Sequence, residues 1–107
     1  VSEQPGWRFF IALSRYLVDS DVVMDHLVEH RAWAKGAYDA GLLLFSGRRN
    51  PPTGGTLGFR AEDLAQAERF VSGDPFVVNG IAHYEVIEVT PTPFPWRNGH
   101  FDDFLAT

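Results

Sequence analysis

A few residues in this sequence have side chains able to move a proton or hold an anion. His30 is the first. It falls on a seam of small and apolar residues (Val23, Leu27, His30, Ala34, Ala37, Gly41) spaced at alternating steps of four and three. That spacing is one face of a helix. Leucine or valine would cost less there, because a buried imidazole needs a partner for its N–H. One reading is a core histidine with a single satisfied hydrogen bond. The other is a general base in an apolar cleft, since imidazole exchanges protons near neutral pH.

Asp74 lies in Ser72-Gly73-Asp74-Pro75-Phe76. Aspartate followed by proline suits an N-cap and an N1 residue at the start of a short helical turn, which accounts for both without chemistry. The same carboxylate, just past a second helix, could also accept from a histidine. It would then fix the histidine's tautomer and stabilise the imidazolium. Ser46-Gly47-Arg48-Arg49 follows an apolar stretch, and Arg15 ends another. A guanidinium at a pocket mouth would hold a carboxylate by two hydrogen bonds, whereas in a solvated loop it does nothing specific. His26 and His30 are four apart, as helical metal ligands can be. The zinc-protease pattern needs Glu where Leu27 stands, and a third ligand could come only from a distant residue such as His83, so no metal is expected. Gly54-Gly55 reads as a turn, and no phosphate-binding glycine motif or nucleophile elbow is present.

The elements that would position these residues follow from periodicity and punctuation. Trp7 to Ser14 and Leu42 to Ser46 read as strands, and Val22 to Ala40 as a helix stopped by Gly41. Asp21, Asp25 and Glu29 near its start and Arg31 and Lys35 near its end suit the helix dipole. Gly47 to Gly55 is a loop and Thr56 to Arg60 a strand. Ala61 to Ser72 is a second helix, with Leu64, Ala67 and Val71 as its apolar stripe, and Ile81 to Thr90 is a final strand. The order is βαββαβ, a ferredoxin-like α+β plan: an antiparallel sheet with two helices on one face. A domain over residues 1–90 is expected, with a proline- and aromatic-rich tail over residues 91–107.

The first two strands are apolar at nearly every position, with no alternation to suit a wet face. Two helices cover one face only. A second copy packed sheet against sheet, a symmetric homodimer, would cover the other. The tail could wrap across that partner.

Composition narrows the functions. The chain has 107 residues, 45% hydrophobic and 21% charged, which suits one small folded domain. Nine Lys and Arg against fourteen Asp and Glu give a net charge of -5. Such a chain is repelled by phosphate backbones and lacks a basic face for anionic membranes, so neither nucleic acid nor membrane is an expected partner. The absence of cysteine excludes disulfides, thiolate metal sites and a thiol nucleophile. No apolar stretch approaches a membrane span and Val1 to Arg8 carries no signal-like apolar core, so a cytoplasmic location is the expectation.

Taken in order, Leu13-Ser14-Arg15-Tyr16, Glu29-His30-Arg31, Ala40-Gly41-Leu42-Leu43, Ser46-Gly47, Gly54-Gly55, Asp74-Pro75-Phe76 and Gly80-Ile81-Ala82-His83-Tyr84-Glu85-Val86 resemble the YCII-related family over about residues 8–90. The resemblance implies a dimeric α/β barrel. It also implies that a histidine of the first helix and the aspartate of the DPF-like segment, here His30 and Asp74, form the active-site pair. Family members of known activity look like lyases on small cyclic acids or lactones, with muconolactone isomerases as relatives on the same barrel. Two departures touch the pocket mouth: Ser-Gly is followed by Arg48-Arg49 where the family usually has proline, and the tail is longer and more aromatic.

The leading expectation is therefore a small cofactor-free lyase or isomerase acting on a small-molecule substrate. His30 is the base and Asp74 its orienting partner. Ser46 donates to an oxyanion, and Arg15 or Arg48 holds an acidic group. The rivals are a non-catalytic binding or interaction module and a cofactor-free mono-oxygenase on the same barrel.

Overall fold

The computed structural model describes residues 6–92 and 103–106. The elements run β1 (Arg8–Tyr16), α1 (Ser20–Asp25), α2 (Leu27–Asp39), β2 (Leu43–Arg48), β3 (Gly55–Ala61), α3 (Leu64–Ser72), α4 (Pro75–Val78) and β4 (Ala82–Val89). The strands form one antiparallel sheet in the order β2-β3-β1-β4, which is the ferredoxin-like arrangement.

Alternation along each strand separates two faces. Phe10 and Ala12 of β1, Leu57, Phe59 and Ala61 of β3, and Leu43 of β2 point one way. They pack against Ala37 of α2 and Ala67 and Val71 of α3. Phe10 is paired with Phe59 in the ladder and their rings stack at 5.9 Å. Each fully buried phenylalanine contributes on the order of 2 kcal/mol of burial free energy. A second cluster of Val23, Phe76, Ile81 and Ala82 lies under α1 and α4. On the opposite face Ile11 and Leu13 are half-buried, while Phe45 and Ile87 are 39% and 40% exposed. Phe45 lies over Gly58 at a register shift in β2, where any Cβ on residue 58 would run into its ring.

The helix expected over 22–40 is divided. His26 (φ -111°, ψ 9°) closes α1 with a tight bond from its N–H to the Val23 carbonyl, and α2 starts anew at Leu27. Val23 of α1 and Leu27 at the start of α2 pack with Phe76 and Ile81, whereas Ala37 near the end of α2 packs on the main core. The far end of α2 stops as expected. Gly41 has φ +76°, the Leu42 N–H returns to the Ala37 carbonyl and the Gly41 N–H to that of Tyr38, a Schellman closure. The second helix begins at Leu64 rather than Ala61, because Asp63 caps it by accepting from the Gln66 N–H. Leu64, expected in the buried stripe, is therefore in the exposed first turn.

Residues 93–102 of the aromatic tail lie outside the described residues. A helical turn at 103–106 packs back on its own chain: Phe104 meets Phe9 edge to face at 6.4 Å, and its carbonyl accepts from Arg60 Nη1 at 2.7 Å.

Candidate active site

Asp74 meets both expectations held for it. It is the N-cap of α4, with Oδ1 accepting from the Phe76 N–H at 2.9 Å and Pro75 following in the first turn. The same Oδ1 lies 2.8 Å from His30 Nδ1. The other oxygen, Oδ2, accepts from the Tyr84 hydroxyl at 2.6 Å. The carboxylate is 0% exposed, so a charge there requires this convergence of three donors.

The geometry fixes the histidine. A carboxylate only accepts, so Nδ1 carries a proton toward Asp74, and in the neutral ring the lone pair is then on Nε2. The imidazole lies flat on the Phe76 ring, centroids 4.2 Å apart and planes within 1°. Trp33 flanks it at 6.0 Å and itself stacks on Phe70 at 4.8 Å. Ring plane and tautomer are thus set by neighbours from α2, α3 and α4.

Tyr84 enters from β4, directly across the ladder from Ser14 of β1. Burial, reinforced by the Asp74 charge and the hydrogen bond to it, pushes its phenol far above the ordinary range. Tyr84 therefore stays a donor. The sequence reading passed over it, although Ala82, Tyr84 and Val86 alternate toward the helix face, where a tyrosine hydroxyl must find a partner.

His30 and Tyr84 look into an open cleft of about 1180 Å³ between α2 and the ends of β1, β2 and β3. Arg15, Ser46 and Arg48 line it too, whereas Asp74 lies behind His30 and does not. The five residues singled out in the sequence therefore gather at one place, four on the wall and one behind it. The loop that follows Arg48, beginning with Arg49, is tied to the end of β1. The Tyr16 N–H bonds the Thr53 carbonyl at 2.8 Å, the Gly55 N–H bonds Ser14 Oγ at 2.7 Å, and Arg49 Nη1 bonds the Ser14 carbonyl at 3.1 Å. Gly54 crosses so close to the Ser14 carbonyl that a side chain there would strike it. Ser46 Oγ lies 2.9 Å from the Tyr38 hydroxyl, and either can donate.

His26 and His83 do not join this site. His26 Nδ1 is 3.6 Å from Glu29 Oε2 at the break between α1 and α2, and His83 is on the face of β4 opposite Tyr84. Among the described residues no three His, Asp or Glu side chains converge as metal ligands. None of the helices described is long and apolar enough to cross a membrane.

Fold and site together define a ferredoxin-like α+β domain with a carboxylate-backed histidine on the wall of an open cleft. The chain belongs to the YCII-related family, whose domain model matches residues 9–90. Among solved structures it is similar to 5-chloro-2-hydroxyhydroquinone dehydrochlorinase from Burkholderia phenoliruptrix, determined with 2,5-dihydroxybenzoquinone. That likeness has a TM-score of 0.68 at 20% identity and covers 78% of this chain and 95% of the other, which establishes the shared fold. No curated protein matches the sequence.

Proposed function

We propose that this protein is a cofactor-free lyase or isomerase in which His30 moves a proton on a small enolisable molecule. The observation that carries the reading is the part-buried hydrogen bond from His30 Nδ1 to Asp74 in a histidine that lines the cleft; with Nδ1 so engaged, Nε2 is the atom left to act as base. Nε2 takes a proton from a carbon beside a carbonyl, and the C–H electron pair moves into an enolate. In a lyase the enolate expels an anion from the neighbouring carbon, so that H–X is lost and a double bond remains. In an isomerase the imidazolium returns its proton to a different carbon. Asp74 stabilises the imidazolium between these steps, and Ser46 donates to the enolate oxygen. The dehydrochlorinase on the same fold supports the lyase branch by analogy. Polar groups converging on one cleft favour proton transfer over passive binding.

General-base catalysis supplies about 10²–10⁴-fold, so His30→Gln is expected to lose at least about 10²-fold in turnover while retaining its circular dichroism spectrum. The measurement is chloride release from 5-chloro-2-hydroxyhydroquinone, and deuterium uptake from D₂O into muconolactone followed by NMR. Wild-type rates in His30→Gln would remove the base from the mechanism.

The reading includes a homodimer packed through the open sheet face. The half-exposed Phe45 and Ile87, beside Ile11 and Leu13, form an apolar surface of the kind a second sheet covers. Sedimentation velocity is expected to give twice the chain mass, and Phe45→Glu the monomer; a wild-type monomer would refute this arrangement.

A further inference from the structure

The protein is acidic, yet its cleft is not. Five of the chain's nine Lys and Arg residues (Arg15, Arg31, Lys35, Arg48 and Arg49) line this one cleft, and among the described residues none of its fourteen Asp and Glu does. Of the carboxylates beside the lining residues, Asp74 is fully buried behind His30, and Asp39 is exposed and paired with Lys35. A chain with a net charge of -5 has thus collected most of its cations around a single opening.

Most of these cations are not used to hold the fold. Lys35 pairs with Asp39 at 2.7 Å, and Arg49 bonds the Ser14 carbonyl. Arg15, Arg31 and Arg48 are exposed, and their side chains make no hydrogen bond or ion pair with the described residues. They approach from different directions: Arg15 from the end of β1, Arg48 from the end of β2, and Arg31 from α2, one residue after His30. Like charges gathered without partners repel one another, and an anion shared between them relieves that repulsion. The lining of the cleft is more apolar than polar, with Leu57 and Phe76 among its residues.

We infer that the cleft takes a small organic dianion: an apolar ring or short chain carrying two acidic groups, one held by Arg15 and Arg48 and the other by Arg31. This deepens the proton-transfer reading by naming its substrate class, and it rests on that reading only in taking this cleft as the substrate site. Guanidinium pairs with carboxylate or phosphate oxygens by two parallel hydrogen bonds, which fixes orientation as well as charge. Arg31 lines the same cleft as His30 and would hold one acidic group in the opening that contains the base. Neutralising that group would lower the cost of forming a further negative charge on the substrate.

The test is equilibrium binding, by isothermal titration calorimetry, of three probes with one ring and different charge: phthalate, benzoate and benzamide. Phthalate is expected to bind most tightly and benzamide most weakly, with added NaCl weakening phthalate most. Arg15→Gln, Arg31→Gln and Arg48→Gln are each expected to weaken phthalate about tenfold and leave benzamide unchanged. Arg8→Gln, on β1 and outside the cleft, is expected to leave phthalate binding unchanged. Benzamide binding as tightly as phthalate would overturn the inference. So would an equal loss in Arg8→Gln, or no phthalate binding at millimolar concentration. His30→Gln separates the two readings. Arginine-dependent phthalate binding that survives in His30→Gln supports the dianion site even if turnover shows that His30 is not the base. Loss of turnover in His30→Gln with charge-blind binding would leave the base standing and remove the dianion.

Discussion

The two sides of the cleft are built on opposite principles. The inner wall is buried and saturated: Asp74 accepts from His30, Tyr84 and the Phe76 N–H, and the His30 ring is stacked on Phe76. The rim is exposed and open: Arg15, Arg31 and Arg48 stand without partners among the described residues. On the wall the Asp74 oxygens, His30 Nδ1 and the Tyr84 hydroxyl hold one another, and removing one leaves others stranded in low dielectric. On the rim each cation is solvated and folding does not depend on it. The wall therefore couples stability to chemistry, whereas the rim is free to vary with the ligand. Substitutions that separate stability from binding test that division.

The largest stability effect is expected from Asp74→Ala. It removes the cap of α4 and leaves His30 Nδ1–H and the Tyr84 hydroxyl without their acceptor. Removing one partner from a buried charged network costs about 3 kcal/mol or more, and a lost N-cap costs about 1 kcal/mol by itself. Urea unfolding should show the midpoint falling accordingly, with turnover lost because the imidazole is no longer oriented. A stability unchanged from wild type would mean that the wall is not a coupled network, and the contrast with the rim would fail.

The division also marks what the sequence could and could not reveal. The ferredoxin-like order was legible because several elements carry their own punctuation: Gly41 after α2, the glycine- and proline-rich loop between β2 and β3, and Asp74-Pro75 before α4. His30 stood out because a seam of small and apolar residues made it anomalous. Its link to Asp74 spans 44 residues, and only the packing of α2 beside α4 creates it. Sequence therefore offered capping and pairing as alternatives, when a single oxygen of the carboxylate, Oδ1, accepts both bonds. Tyr84 was missed because a tyrosine in a strand is ordinary, and its hydroxyl's partner lies on another element. The break at His26 was invisible because the apolar period runs straight through it. The cationic rim was half visible. Arg15 and Arg48 ended apolar strands, whereas Arg31 and Lys35 read as ordinary helix-dipole charges until the fold turned them toward the same opening.

Tyr84→Phe gives the finest division, because it removes one oxygen and leaves the ring. The lost hydrogen bond to Asp74 Oδ2 is expected to cost about 1.5–3 kcal/mol at neutral pH, the range for a bond to a charged group. The pH dependence carries the sharper signature. In the folded protein the phenol is held well above its ordinary range by burial and by the Asp74 charge, whereas in the unfolded chain it titrates at about 10. Below that pH both states keep the proton, and the contribution is fully present. As the pH rises past it the unfolded chain releases a proton that the folded protein retains, so stability falls with pH. Tyr84→Phe has no such proton to release. Its stability should therefore decline less steeply than that of wild type at alkaline pH, and the difference between the two should narrow as the pH rises. Parallel alkaline unfolding curves, followed by fluorescence in urea, would mean that the Tyr84 hydroxyl is not locked to Asp74. The wall would then be a histidine–aspartate pair with a tyrosine merely beside it.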